Sequence, residues 1–368
     1  MKIRKNILFG FFWMVSIFMY GYFKPLLIAV YSFLSIRTRF YIQQFDITYL
    51  ILFIYFLISV PIVLFSTDLN AMTNLASLFL AFIFYFSLQS NATNFCKPII
   101  YLGIFASIDA IYQFYAGEDI FGIPLYADFR STGPFTWSSP VIGSFLTILF
   151  FSVNDFIRNR KISFAIQAIF LLAILLSGNR SNFLQILFIF LILSSLKIQT
   201  FWIIFISILY FYRIEVLELV GFEAIARIAN LFTIDSVIQL EMQEGRRLHM
   251  WSYLYQNIPI QYFFLGTGLG MSEILISNTY PFGNYLHPHF LYLEIFLNLG
   301  LFFFLVFLAV LFRAFSKLDR TGKAIFLTFW GPFNILHSFL DLFWLSMLVL
   351  NLLLVAAHQE IASKKTNT

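Results

Sequence analysis

Residues 286–312 read LHPHFLYLEIFLNLGLFFFLVFLAVLF. The run holds one carboxylate, Glu294, and no Lys or Arg. At a rise of about 1.5 Å per residue it exceeds the roughly 20 residues that carry an α-helix across a hydrocarbon core of about 30 Å. It opens on two histidines, His287 and His289, set either side of Pro288. The stretch reads as a membrane span with titratable groups at its mouth.

Working outward, the same texture recurs along the chain. The 368 residues are 60% hydrophobic and 21% aromatic, with 51 Phe and only 11% charged. Soluble domains carry about 25% charged residues, so this surface could not stay dissolved as a monomer. Collagen, coiled coil, disordered tail and disulfide scaffold are excluded by the same numbers. Cys96 is the single cysteine, which rules out an intrachain disulfide and any metal cluster built on several thiols. Apolar runs predict spans at Ile7–Phe23, Pro25–Ile36, Ile47–Phe65, Ala71–Leu88, Ile99–Tyr115, Ser139–Ile157, Ile162–Gly178, Ser181–Leu196, Ile198–Tyr212, Leu286–Phe312, Ala324–Asp341 and Leu342–Ala357. Pro25–Ile36 is too short to cross upright. Met1-Lys2-Ile3-Arg4-Lys5 looks like a signal-peptide start, but no small-residue cleavage site follows, so it reads as an uncleaved first span. The expectation is an all-α, polytopic membrane bundle of about twelve transmembrane helices, one integral membrane domain over 1–368.

Charge placement sets the expected orientation. With the N-terminus inside, the cytoplasmic flanks hold Lys2, Arg4, Lys5, Arg37, Arg39, Lys97, Arg158, Arg160, Lys161, Lys197, Arg313, Lys317, Arg320, Lys323, Lys364 and Lys365, which is 16 of the 23 basic residues. The positive-inside rule then puts both termini in the cytoplasm. The net charge of +5 is accordingly read as topology and not as a nucleic-acid surface. Two segments fall outside. Ala116–Ser138 carries Glu118, Asp119, Asp128 and Arg130, and residues 213–285 form a large external loop inserted between spans. In that loop Leu219, Phe222, Ile225, Ile228 and Phe232 mark one amphipathic helix, and a second is predicted at about Arg247–Asn257, stopped by Pro259.

Ionisable groups at membrane depth are costly, so each asks for a reason. Arg180 lies in a polar break, Leu176-Ser177-Gly178-Asn179-Arg180-Ser181-Asn182. It reads either as a hairpin tip snorkelling to the headgroups or as an anion ligand. Arg246 and Arg247 open the second loop helix, where a cation opposes the dipole. A diphosphate there, or an ion pair with Glu241 or Glu244, would account for them. His287 and His289 are candidates for a general base, because neighbouring cations favour neutral imidazole. His337 with Asp341 can satisfy each other, and Asp109 and Glu294 call for partners. Gly266-Thr267-Gly268-Leu269-Gly270 has no βαβ unit around it and reads as a turn. No P-loop and no Asp-x-Asp pair on the first external turn are present, so neither ATP nor a divalent metal is expected as cofactor.

In order, four stretches resemble the bacterial O-antigen ligase and O-antigen polymerase family. Arg130-Ser131-Thr132-Gly133-Pro134-Phe135 is similar to its external Arg-x-x-Gly-x-Phe loop, and Ser177-Gly178-Asn179-Arg180-Ser181 to its Ser/Thr-x-x-Arg hairpin. Arg247-Leu248-His249-Met250-Trp251 with Phe264-Leu265-Gly266-Thr267-Gly268-Leu269-Gly270 resembles its Arg-x-x-x-Trp helix and glycine turn. His289-Phe290-Leu291-Tyr292-Leu293, with Gly300 eleven residues past the histidine, resembles its His-Asn-x-Tyr-Leu span. Phe290 replaces the usual Asn, Asn298 stands where an acid is common, and Thr136-Trp137-Ser138-Ser139-Pro140 replaces an Asn-Pro-Asn-like turn. The resemblance covers about Arg130 to Leu311.

It implies a metal-independent, inverting glycosyltransferase of the bacterial inner membrane, with its active site facing the periplasm. The donor would be an undecaprenyl-diphosphate-linked oligosaccharide, the acceptor a glycan or lipid A-core, in lipopolysaccharide or other cell-surface polysaccharide biosynthesis. Arg180 and Arg247 would act on the diphosphate and His289 on the acceptor hydroxyl, with Arg130, Arg246, His287 and Trp251 binding substrate; the acidic external segment would cover the site and hold sugars. Membrane lipids are expected partners, nucleic acid is not. The alternative from another class is a lipid-linked glycan flippase or transporter without chemistry, whose essential charges would line a cavity through both leaflets.

Overall fold

Among the residues described by the computed structural model the chain is helical, without a strand longer than an isolated bridge. The description covers Leu78, Ala81, Tyr85 and Leu88, then residues 92–126, 130–135, 139–193, 199–200, 247–268, 270–282, 288, 290–334 and 342–366. The helices are α1 (Ala92–Ala116), α2 (Ser139–Phe150), α3 (Val153–Phe156), α4 (Arg160–Leu176), α5 (Arg180–Leu193), α6 (Arg247–Asn257), α7 (Ile260–Leu265), α8 (Ser272–Thr279), α9 (Leu291–Ser316), α10 (Arg320–Trp330) and α11 (Leu342–Thr366).

Three of the described helices are long and apolar enough to cross a membrane: Ala92–Ala116, Leu291–Ser316 and Trp344–Lys364. Of the other apolar runs, α4 covers 17 residues and α5 ends where the described residues end, while two runs are broken by local structure. The run expected as one span at Ser139–Ile157 breaks after Phe150, where the Ser152 hydroxyl and amide both donate to the Leu149 carbonyl, at 2.7 and 3.1 Å. In the run expected at Ala324–Asp341, α10 ends at Trp330. The chain then turns at Gly331, and the Gln185 side chain fills the space a Cβ there would need. The expected spans before Leu78, most of Ile198–Tyr212, and the amphipathic helix at Leu219–Phe232 lie outside the described residues.

α2 forms the centre. Every side chain from Val141 to Phe150 is buried, and it packs against α1, α4, α5, α10 and α11. A helix apolar all round belongs inside a bundle. Lipid removes most of the hydrophobic drive between spans, so close approach and polar stitching hold them. Gly103 on α1 leaves room for Leu149 of α2 and Phe170 of α4. Asn351 of α11 donates to the Ile325 carbonyl at 2.6 Å and to Thr328 at 3.0 Å, joining α10; Ser144 and Asn182 join α2 to α5.

The bundle has two chemically different ends, fixed by α1. At its start, Thr93 donates to Glu360 of α11 at 2.6 Å, and Glu360 also meets Lys364. Nearby, His358 Nδ1 lies 2.9 Å from Asp155 and Nε2 lies 2.8 Å from Asp319. A neutral ring has one donor, and both partners are acceptors, so this imidazole carries both protons. Near the end of α1, Gln113 instead catches the chain: its carbonyl oxygen accepts from the Thr132 and Gly133 amides at 2.7 and 2.9 Å.

Candidate active site

At the Gln113 end, the resemblance residues fall into two groups. In the first, Arg130 donates through Nε to the Ser177 carbonyl at 2.9 Å, and the Ser131 amide donates to Leu176 at 3.2 Å. The arginine lies across Gly178, whose φ of +62° keeps the hairpin tight and whose missing Cβ leaves space for the guanidinium stem. Arg130 also stands 5.8 Å from the Tyr126 ring centroid. Phe135 is buried against Phe145 of α2, which seats the loop on the central helix. Arg180 begins α5 two residues beyond Gly178 and is half-buried. The structure therefore brings the Arg130 loop and the Arg180 hairpin together.

The second group is built on α6, which forms over the predicted residues with Pro259 after it. Arg247 is its first residue and half-buried. One turn on, Trp251 donates its indole N–H to the Pro288 carbonyl at 2.7 Å, and its ring lies 5.4 Å from that of Phe290. Pro288 and Phe290 are the neighbours of His289 on either side. Arg246, His287 and His289 themselves lie outside the described residues.

The glycine turn finds a partner that spacing does not reveal. Helix α9 is interrupted at Gly300, with φ 70° and ψ 170°, and Gly266 packs its backbone directly into that break. The Thr267 amide donates to Leu297 at 2.9 Å and the Gly268 amide to Asn298 at 3.1 Å. Asn298 completes the joint, its side-chain oxygen accepting from the amides of Gly270 and Ser272 at 3.0 and 3.3 Å. Beyond it, His249 of α6 meets the Tyr280 hydroxyl at 2.9 Å among the rings of Tyr253 and Phe282. His249 was not singled out by the sequence, and its place in the loop's small aromatic core follows from contacts across α6 and the segment after α8.

The two groups meet through a common support. Gln185 of α5 donates to the Leu327 carbonyl and accepts from the Phe333 amide at 2.9 Å, while the Tyr292 hydroxyl of α9 donates to the Trp330 carbonyl. The helix that begins at Arg180 and the helix that begins beside His289 are thus both fastened to the end of α10. Two acids brace the segment that follows α1. Asp119 accepts from the amides of Phe121 and Ile123, and Asp109 from that of Ile120, so they fasten their own loop.

The class defined by these observations is an all-helical membrane protein. Comparison with protein-family models, with curated proteins and with solved structures finds no match to this chain.

Proposed function

We propose that the protein is a membrane glycosyltransferase of the O-antigen polymerase or ligase type, moving a glycan from undecaprenyl diphosphate to a sugar hydroxyl at the periplasmic face of a bacterial inner membrane. The observation that carries the reading is the Trp251–Pro288 hydrogen bond, because it ties the helix that starts at Arg247 to the residues flanking His289. The contact of Arg130 with the hairpin of Arg180 supports it by adding further guanidinium groups at the same end of the bundle.

In the reaction, His289 removes the proton from the acceptor hydroxyl as that oxygen bonds to the anomeric carbon. The bond from that carbon to the diphosphate oxygen breaks, and the electron pair leaves with the diphosphate. Arg180 and Arg247 stabilise the charge gathering there, with Arg130 and Arg246 in support. A positioned base contributes about 10²–10⁴ in rate. A single displacement inverts the anomeric configuration.

The test is made in the parent bacterium lacking its own copy. His289→Ala and Arg247→Ala are each expected to abolish long surface glycan while the protein inserts at normal abundance. Normal glycan from both variants, or purified protein that moves a lipid-linked glycan across vesicles without ever joining two, overturns the proposal. Single repeats on the surface of the deletion strain mark a polymerase; long chains stranded on the lipid carrier mark a ligase.

A further inference from the structure

We infer that residues 117–124 form a re-entrant loop whose Ile120–Phe121 tip lies in the hydrocarbon of the bilayer leaflet at the Gln113 end, touching lipid acyl chains. The inference is independent of the glycosyltransfer reading.

Depth is set by α1. Lys97 is exposed near the start of this helix, at the end where Thr93 meets Glu360, and marks where water and headgroups begin. Counting about 20 residues for a 30 Å core carries the far boundary to or beyond Ala116. The chain does not continue outward from Ala116. It doubles back: the Ile120 amide donates to Asp109 Oδ1 at 3.0 Å, and Gln113 donates to the carbonyls of Ile123 and Pro124 at 3.0 and 3.1 Å. Asp109 is seven residues, or about 10 Å, below Ala116 on the helix axis.

Irregular backbone at that depth needs every amide satisfied within the protein, and this loop meets the requirement closely. Gly117 donates to Gln113 O, Asp119 to Ile123 O, Gly122 to Asp119 O, and Leu125 to Gly117 O. Asp119 Oδ1 accepts from Phe121 and Ile123 at 2.8 and 2.7 Å. Glu118, also exposed, stands at the base of the loop two residues past Ala116, and what the tip shows outward is apolar: Ile120 is 52% and Phe121 66% exposed. These side chains continue a stripe along α1, where Tyr101, Phe105, Ile108, Tyr112 and Tyr115 are all exposed at three- and four-residue spacing. An exposed aromatic and aliphatic stripe on a spanning helix is its lipid face, so the occupant of the tip is the same lipid.

The experiment uses the full chain in liposomes with Cys96→Ala, which leaves no other cysteine. Spin labels are placed by Phe121→Cys, by Phe105→Cys as lipid control and by Lys364→Cys as water control. The ratio of collision with oxygen to collision with a water-soluble nickel chelate is expected to match Phe105→Cys and to stand several-fold above Lys364→Cys. Adding Asp119→Ala should drop the ratio at Phe121→Cys, whereas Asp119→Asn, which keeps the acceptor oxygen, should preserve it. High nickel access at Phe121→Cys overturns the inference, and so does shielding from both reagents, which would mean a protein partner. The unsubstituted protein supplies an independent reading. A lipid with a photoactivatable acyl chain should label the 117–125 peptide, and labelling of α1 with none there defeats the proposal.

Discussion

The two ends of the bundle are held by opposite chemistry. At one end an imidazolium bridges two carboxylates from separate turns, so that α3, the cap of α10 and α11 are bolted by charge. At the other, Arg130 reaches a backbone carbonyl and an aromatic face, and Gln113, Gln185 and Trp251 do the joining through neutral hydrogen bonds. A charge placed against a charge has its electrostatic demand met internally. Among the described residues, the first end is fixed by charge and the second by hydrogen bonds to backbone groups.

The largest effect should come from breaking the charged end. His358→Ala strands the Asp155 carboxylate, which is only 8% exposed. Removing one partner of a buried ion pair costs about 3–5 kcal/mol, so the unfolding midpoint in detergent should fall sharply. Asp319 is 61% exposed, so Asp319→Ala should cost far less than Asp155→Ala. Equal losses from those two would erase the picture of a buried bolt.

Next in size is Gly300→Ala, in the arm that carries the glycine turn. A side chain at φ 70° and ψ 170° enters a region kept to glycine, at about 1–3 kcal/mol, and its Cβ would run into the Gly266 backbone. Gly266→Ala should cost a similar amount, and the double variant less than the sum, because either change already opens the joint. Additive losses would show that the two backbones do not share one contact.

Much of this arrangement was legible in the sequence, and the illegible part has a physical cause. Hydrophobic runs located α1, α4, α5, α9 and α11 because lipid imposes a composition on any segment that faces it. Pro259 marked the stop of α6, and the glycine run declared itself a turn. Local signals could not say where a greasy run breaks. Where α2 ends, Ser152 turns back on the Leu149 carbonyl, and where α10 ends, Gln185, far away in the chain, occupies the space beside Gly331. His358 gave no sign at all, since its meaning lies in Asp155 and Asp319, which reach it only after folding. For the same reason Asp109, inside a predicted span, called for a partner without naming one, and Asp119 read only as an external acid, although both accept from loop amides. Arg130 and Arg180 were legible as types, but the bond from Arg130 to Ser177, in the hairpin before Arg180, was not.

A smaller change sharpens the neutral end. Trp251→Phe keeps a ring beside Phe290 and removes only the donor to Pro288, at about 1 kcal/mol for a neutral hydrogen bond. Thermal stability should hardly move. If the bond positions His289, the transfer rate should fall while donor binding is retained, a split visible in kcat against KM. A variant with unchanged kcat would reduce Trp251 to packing.

The smallest effect returns to the charged end and has a definite sign. Burial pushes the Asp319 carboxyl up, but the Gly322 amide, His358 and Lys323 together outweigh it and hold the group below the usual carboxylate range. A carboxyl lower in the folded than in the unfolded chain adds stability that is complete above the unfolded value and is lost as pH falls through the folded one. Acid should therefore loosen the α10 cap below the ordinary carboxylate range, with no change attributable to Asp319 near neutrality. Asp319→Asn removes the titrating group while leaving an oxygen for Gly322. Its unfolding midpoint should depend less steeply on pH in that acid range, a difference that is modest because the side chain is largely exposed to solvent. Parallel acid profiles for the two proteins would remove Asp319 from the bolt and leave Asp155 as the sole charge on which His358 acts.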